Sequence, residues 1–76
     1  MNSKTREQTL AEQHGYTTNS IAVNTFYKGD LYVWRCFTGW ARAVFIGTSV
    51  VGGKRIYADL ENALVGNDDT STYKMG

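Results

Sequence analysis

A chain of 76 residues with 42% hydrophobic residues and a formal net charge of +1 is expected to form one small soluble domain. It contains no apolar run of about 18 residues, so no transmembrane helix is predicted. The polar N-terminus does not resemble a signal peptide, and the single cysteine excludes an intramolecular disulfide. These features predict a cytoplasmic protein, in the host cytoplasm if a phage encodes it, with no long-range attraction for nucleic acid or membranes.

The N-terminal segment has helix formers but few apolar residues. Residues 3–14 are followed by Gly15, a common helix stop. Only Leu10 and Ala11 in this segment are apolar, so little of it could pack on a core. We therefore expect residues 1–17 to form a loosely docked helix or a polar arm.

Residues 18–47 hold most of the aromatic side chains and two tight-turn signals. Gly29-Asp30 suits a two-residue type II′ turn, which needs a positive φ at its first central position. Thr38-Gly39 is the second turn signal, with Gly39 as the left-handed residue. The flanking segments are rich in valine, isoleucine, tyrosine, phenylalanine and tryptophan. The pattern predicts a three-stranded antiparallel meander.

Two-residue turns would fix the pairing of these strands. Phe26 then lies opposite Val33, and Arg35 lies opposite Arg42. Because side chains alternate along a strand, one face carries Tyr27, Tyr32, Trp34, Cys36, Ala41, Ala43 and Phe45, and the other carries Phe26, Val33, Arg35, Phe37, Trp40, Arg42 and Val44. Neither face is polar, and so small a chain can cover only one with helix. The other face is expected to stay partly open or to contact another molecule.

Residues 48–66 are predicted to form a loop and a helix. Within residues 54–65, the apolar positions recur at the spacing of one helix face: Ile56, Tyr57, Leu60, Ala63 and Leu64. An alternative interpretation makes residues 54–58 a fourth strand after a turn at residues 51–53. Residues 67–76 lack periodicity and are predicted to be a disordered tail. The predicted fold is therefore α+β: a three-stranded meander, a C-terminal helix packed on one face, and a second helix at the N-terminus.

The residue types that support catalysis lack suitable neighbours. His14, the only histidine, has no partners at metal-ligand spacing, and Cys36 lies among aromatic residues that suit a buried thiol. Gly47 and Gly52 have the spacing of a phosphate loop, but Gly53 stands where the motif requires lysine. The sequence therefore predicts a protein that is not an enzyme and that has no cofactor and no metal.

The arginines among the aromatic residues are the best candidate contact group. Arg35, Arg42, Trp40, Phe37 and Asn24 are predicted to lie close together, with Lys54 and Arg55 as additional cations. Arginine and tryptophan dominate protein–protein hot spots, and the same set could cradle a phosphate backbone with stacked bases. The alternative is a structural role, in which each arginine lies over a ring and pairs with a carboxylate from a helix.

The leading expectation is a non-enzymatic protein-binding module that acts as an inhibitor or adaptor on a larger host or partner protein. Its size suits a phage or mobile-element antagonist, for example an anti-defence or anti-CRISPR type inhibitor, although no motif carries that association. The alternative is a small nucleic-acid-binding domain that uses the basic-aromatic face. A structural homo-oligomer whose open sheet face pairs with itself is a third hypothesis, so the chain is expected to be a monomer or a homodimer, without a membrane partner.

Overall fold

The computed structural model describes residues 4–66. Its elements follow in the order α1 (Arg6–Gln13), β1 (Thr25–Lys28), β2 (Leu31–Cys36), β3 (Gly39–Ile46), β4 (Ser49–Tyr57) and α2 (Leu60–Val65). The strands form one antiparallel sheet in the order β1-β2-β3-β4. The α+β class is thus confirmed, but the sheet has four strands where three were predicted. The tail predicted over residues 67–76 lies outside the described residues.

Helix α1 is anchored at its start by reciprocal hydrogen bonds. The Thr5 hydroxyl accepts from the Gln8 backbone amide, and the Gln8 side chain accepts from the Thr5 amide, both at 3.0 Å. This capping box satisfies two amide groups that a helix start leaves without partners. The buried Gln8 side chain also donates to the Asn19 carbonyl at 3.1 Å. The N-terminal segment is therefore a docked helix.

The first hairpin has the predicted register. Lys28 pairs with Leu31 and Phe26 pairs with Val33, so Gly29 and Asp30 form a two-residue turn. Gly29 has a φ of 64°, and no residue other than glycine has a positive φ in the described chain. This combination fits the type II′ turn, which needs a positive φ only at its first central residue.

The second hairpin differs from the prediction. Arg35 pairs with Trp40, and Cys36 pairs with Gly39, so the turn consists of Phe37 and Thr38. The prediction that Arg35 opposes Arg42 was wrong by two residues. Because side chains alternate with a period of two, this shift leaves the strand residues on their predicted faces. Phe37 is the exception, because it lies in the turn.

Strand β4 replaces most of the predicted C-terminal helix. It continues through Gly52 and Gly53, which have φ values of 81° and 85°. The register shifts at this point, and residues 52–54 of β4 lie opposite a single residue of β3, Ala43. Glycine tolerates this bulged backbone, which the sequence pattern suggested was a break. The fourth-strand alternative was thus closer, and the helix is confined to Leu60–Val65.

Both helices pack on one face of the sheet. That core is formed by Ala11, Tyr16, Phe26, Val33, Trp40, Tyr57, Leu60, Ala63 and Leu64. The rings of Phe26 and Trp40 stack there with centroids 5.8 Å apart. No described element packs on the opposite face. Within residues 4–66 no helix is long and apolar enough to cross a membrane.

Candidate binding surfaces

Arg42 has a structural role at the end of α2. Its half-buried side chain donates through Nη1 to the carbonyl oxygens of Ala63 at 2.7 Å and Leu64 at 3.0 Å, and to the Tyr16 hydroxyl at 3.2 Å. The last carbonyl groups of a helix have no partner within it and attract cations. These contacts direct the charge of Arg42 into the protein, through helix carbonyl groups where the structural alternative predicted a helix carboxylate.

Arg35 is the exposed member of the predicted arginine pair. Its guanidinium carbon lies 5.1 Å from the centroid of the Trp40 ring, a cation–π geometry. Trp40 itself is buried and only 6% exposed. The Arg35 backbone amide donates to the Asn24 carbonyl at 3.0 Å, which places Asn24 beside Arg35 at the start of β1. The structure thus brings Arg35, Trp40 and Asn24 together.

Phe37 lies at the same end of the sheet and is 99% exposed in the β2–β3 turn. The segment before β1 reaches this end as well, because Thr25 at the start of β1 pairs with Trp34 near the end of β2. Ile21, in that segment, is 88% exposed. We call the surface formed by Asn24, Arg35 and Phe37 the Phe37 end.

The other two predicted cations are not part of the Phe37 end. Lys54 lies in the bulge of β4, and Arg55 lies opposite Arg42 in the middle of the sheet. Of the seven predicted binding residues, four are therefore gathered at one end: Arg35, Trp40, Phe37 and Asn24. Arg42, Lys54 and Arg55 lie along the sheet.

The sheet face opposite the helices is a second candidate surface. It carries the rings of Tyr27, Tyr32, Trp34 and Phe45 from β1 to β3, and Val50 and Ile56 from β4. Tyr27 and Tyr32 stack with centroids 5.6 Å apart, and Phe45 meets Tyr32 edge to face at 5.4 Å. We call this surface the open face.

Alanine side chains lie among the rings of the open face. Trp34 pairs with Ala41, and Phe45 is four residues further along β3, about 13 Å away along the strand. The two ring centroids are nevertheless 6.1 Å apart, so the rings lean towards each other across Ala43. Ala41 and Ala43 are buried although they lie on the open face. The rings thus form a continuous layer that shields the alanines and remains half exposed itself.

None of the residues of β1, β2 and β3 that lie on the open face is charged. Its positions there are threonine, tyrosine, tryptophan, cysteine, glycine, alanine and phenylalanine. The sequence pattern had already assigned these residues to one face. The predicted contact residues, however, were the arginines and aromatic residues of the opposite face.

The described residues contain no group of three or more histidine, cysteine, aspartate or glutamate side chains that could hold a metal ion. Comparisons with protein families, with curated proteins and with solved structures gave no match to this chain. The two surfaces are therefore the features of the chain from which a function can be inferred.

Proposed function

We propose that this chain is a non-enzymatic protein-binding module, acting as an inhibitor or adaptor, and that it contacts its partner through the Phe37 end. The observation that carries the proposal is the 99% exposure of Phe37 in a two-residue turn. Hairpin turns are ordinarily formed by glycine, asparagine or aspartate, because these residues suit the backbone and the solvent. A phenylalanine held there gains nothing from the fold and is available to a partner.

The neighbours of Phe37 define the chemistry of the partner surface. Burying a phenylalanine side chain contributes about 2–3 kcal/mol, so Phe37 calls for an apolar pocket. Arg35 is exposed close to it, and its position over the Trp40 ring limits its conformational freedom before binding. A carboxylate at the rim of the pocket would pair with Arg35. The expected partner is therefore a protein with an apolar pocket and an acidic rim.

An inhibitor or adaptor of this size acts by covering a site on a larger protein. A standard interface needs about 800 Å² on each side, which a domain of 76 residues can supply. Phage or mobile-element origin, an anti-defence or anti-CRISPR target, and action in the cytoplasm remain predictions, because they rest on the size and composition of the chain.

Two contacts weigh against the nucleic-acid alternative. Arg42 already donates to two carbonyl oxygens and a hydroxyl, and Trp40 is buried against Phe26. The predicted cradle therefore lacks one of its cations and one of its two rings. Lys54 and Arg55 lie elsewhere along β4, so the basic residues do not follow a single aromatic groove.

The proposal can be tested by placing a photo-crosslinking residue at the tip. We would replace Phe37 with p-benzoylphenylalanine, which keeps an aromatic side chain there, and illuminate the protein in lysate of the cell in which it acts. The matched control carries the same residue in place of Ile46, which is exposed at the end of β3 remote from Phe37. We expect a defined cross-linked protein from position 37 and none of it from position 46.

The affinity between this chain and the purified cross-linked protein then measures the contribution of Phe37. Truncation of a hot-spot residue costs about 2 kcal/mol, so Phe37→Ala should weaken binding about 30-fold. Arg35→Glu should weaken it as well, whereas Ile46→Ala should leave it unchanged. If positions 37 and 46 cross-link the same proteins, or if Phe37→Ala binds as tightly as the unmodified chain, the Phe37 end is not the contact surface.

A further inference from the structure

A small open cavity lies at the end of the sheet where the β1–β2 and β3–β4 turns are found, opposite the Phe37 end. It has a volume of about 240 Å³ and is lined by Asp30, Tyr32, Phe45 and Gly47. We call it the Asp30 cavity. We infer that it binds a quaternary ammonium group, through cation–π contacts with the two rings and pairing with the Asp30 carboxylate. This inference goes beyond the proposed function, because it concerns a different site and a different kind of ligand.

The two rings of the Asp30 cavity meet almost at a right angle. The centroids of Tyr32 and Phe45 are 5.4 Å apart, and the ring planes make an angle of 84°. Two rings at this angle present one face each to the corner between them. The face of an aromatic ring is the negative part of its quadrupole and attracts a cation within about 6 Å of the centroid. A rounded cation in this corner contacts both faces at once.

Neighbouring groups hold this corner in place. Tyr27 stacks on Tyr32 with centroids 5.6 Å apart, and the Trp34 ring lies 6.1 Å from that of Phe45. The Phe45 amide donates to the Asp30 carbonyl oxygen at 2.9 Å, which ties the β1–β2 turn to β3. The Asp30 cavity is therefore formed before a ligand arrives, so little conformational freedom is lost on binding.

Asp30 gives the cavity a negative charge. Its side chain is exposed and makes no hydrogen bond or ion pair with any residue in the described range 4–66. A cation between the rings of Tyr32 and Phe45 therefore also meets an opposite charge. An anion would be repelled by the carboxylate and by the faces of the rings. Charge complementarity thus selects a cation as the ligand.

A quaternary ammonium suits these partners better than a primary one. A primary ammonium is strongly hydrated and has three N–H donors that need acceptors. A quaternary ammonium has no N–H donor, and its methyl groups pack directly on ring faces, which is how aromatic cages recognise choline and methylated lysine. Lys54 of β4, which lies in the bulge opposite Ala43, carries a primary ammonium and is therefore a poor competitor for the cavity.

Choline and its uncharged isostere provide the first test. In 3,3-dimethylbutan-1-ol a carbon atom replaces the charged nitrogen of choline, and the shape is kept. We would titrate the ¹⁵N-labelled chain with each compound at constant ionic strength and follow the backbone amide signals by NMR. We expect choline to shift the amides of Asp30 and Gly47 with a millimolar dissociation constant, and the alcohol to bind at least tenfold more weakly. Equal binding of the two compounds would overturn the inference.

A second ligand distinguishes the sources of the ammonium group. Choline represents a small molecule or a lipid headgroup, whereas the acetylated amide of trimethyllysine represents a modified protein. Binding of either supports the inference, and the tighter of the two identifies the source. Shifts of the Asp30 and Gly47 amides with neither ligand would overturn the inference, because they would show that the cavity has no such affinity only if absent; we therefore require saturable shifts, and their absence with both ligands counts against the site.

Single substitutions locate the site within the chain. Phe45→Leu and Tyr32→Leu each remove a ring face but keep an apolar side chain, and each should weaken choline binding about fivefold. Tyr32→Phe keeps the ring and should bind nearly as tightly as the unmodified chain. Asp30→Asn should weaken binding about threefold, because it removes the charge and keeps a residue that suits the turn. Phe37→Leu, which removes an exposed ring at the opposite end of the sheet, is the matched control.

The variants also separate this inference from the proposed function. Circular dichroism confirms that each variant folds, and Asp30→Asn, an exposed turn substitution, tests the site even if a ring substitution disturbs the sheet. Unchanged choline affinity in folded Phe45→Leu and Asp30→Asn would overturn the inference, as would shifts centred on Phe37. Neither Phe45→Leu nor Asp30→Asn should alter the binding of a protein partner at the Phe37 end, so each proposal can fail without the other.

Discussion

The Tyr16 hydroxyl donates a hydrogen bond of 2.6 Å to the carbonyl oxygen of Leu64, 48 residues further along the chain. Tyr16 follows α1, and Leu64 lies in the last turn of α2. Arg42 of β3 donates to both groups, so one buried contact joins the two helices to the sheet. The stability of this small domain should depend strongly on these three residues.

Arg42→Ala should be much more destabilising than Arg35→Ala. The first substitution removes charged hydrogen bonds to two carbonyl oxygens, at an expected cost of about 2–3 kcal/mol in the free energy of unfolding. Arg35 is exposed, so its replacement should cost less than about 0.5 kcal/mol. Urea denaturation, monitored by circular dichroism, measures the free energy of unfolding of both variants. Equal losses would show that the helix end does not depend on Arg42.

Gly39→Ala should destabilise the domain through a steric clash. A Cβ atom at this position would lie 2.2 Å from the Tyr57 carbonyl oxygen, which belongs to the backbone of β4. Forcing the strands apart should cost about 2–3 kcal/mol. Gly29→Ala is the control, since a Cβ there meets no atom within 4 Å and only its positive φ is unfavourable, at about 1 kcal/mol. Thermal unfolding of both variants should rank them in this order, and the reverse order would contradict the close approach of Gly39 to Tyr57.

Glu12 should make stability depend on pH in the acidic range. Hydrogen bonds from the Thr18 hydroxyl and from Lys4 lower the pKa of the Glu12 carboxyl below its ordinary value of 4.5. A lowered folded-state pKa stabilises the fold above the ordinary value, and this contribution is lost as the pH falls through the folded-state pKa. Glu12→Gln should therefore be less stable than the unmodified chain at pH 7, and the difference should vanish at low pH. A difference that is constant from pH 7 to pH 2 would exclude this origin.

Nucleic acids should not bind tightly. We expect labelled single-stranded and double-stranded DNA and RNA to show no micromolar binding by fluorescence anisotropy, even at low salt, because Arg42 and Trp40 are engaged within the fold. Micromolar binding that weakens steeply with salt would favour the nucleic-acid alternative. If Lys54→Glu abolished such binding, β4 would be the site.

The first hairpin could be predicted because one residue dictates its geometry. Gly29 supplies the positive φ of the turn, and the register follows by counting outwards. In the second hairpin the same reasoning placed Gly39 in the turn, whereas Gly39 pairs with Cys36 at the start of β3. It is required because the Tyr57 backbone approaches it closely, and that contact lies 18 positions further along the chain. Local turn preferences cannot show such a contact, so the predicted turn was displaced by one residue and the pairing register by two.

Sequence-based prediction met a similar limit over residues 54–65. Leu60, Ala63 and Leu64 have helical spacing and do form the buried side of α2. Tyr57 fits the same spacing but reaches the core from the end of β4. Helix and strand periodicities coincide over such short intervals, and only pairing with β3 distinguishes them. The two arginines were likewise indistinguishable in sequence, and their roles separate because α2 ends beside Arg42.

The bulge in β4 has a consequence for solubility. Strand β4 is the last strand of the described sheet and spans nine residues, long enough to template the growth of a fibril. Gly52 and Gly53 interrupt its straight backbone, and Lys54 and Arg55 follow with two positive charges. An incoming strand would lose its ladder of hydrogen bonds at the glycines and meet charge directly after them. The same irregularity that concealed β4 in the sequence is therefore expected to disfavour strand addition at this edge.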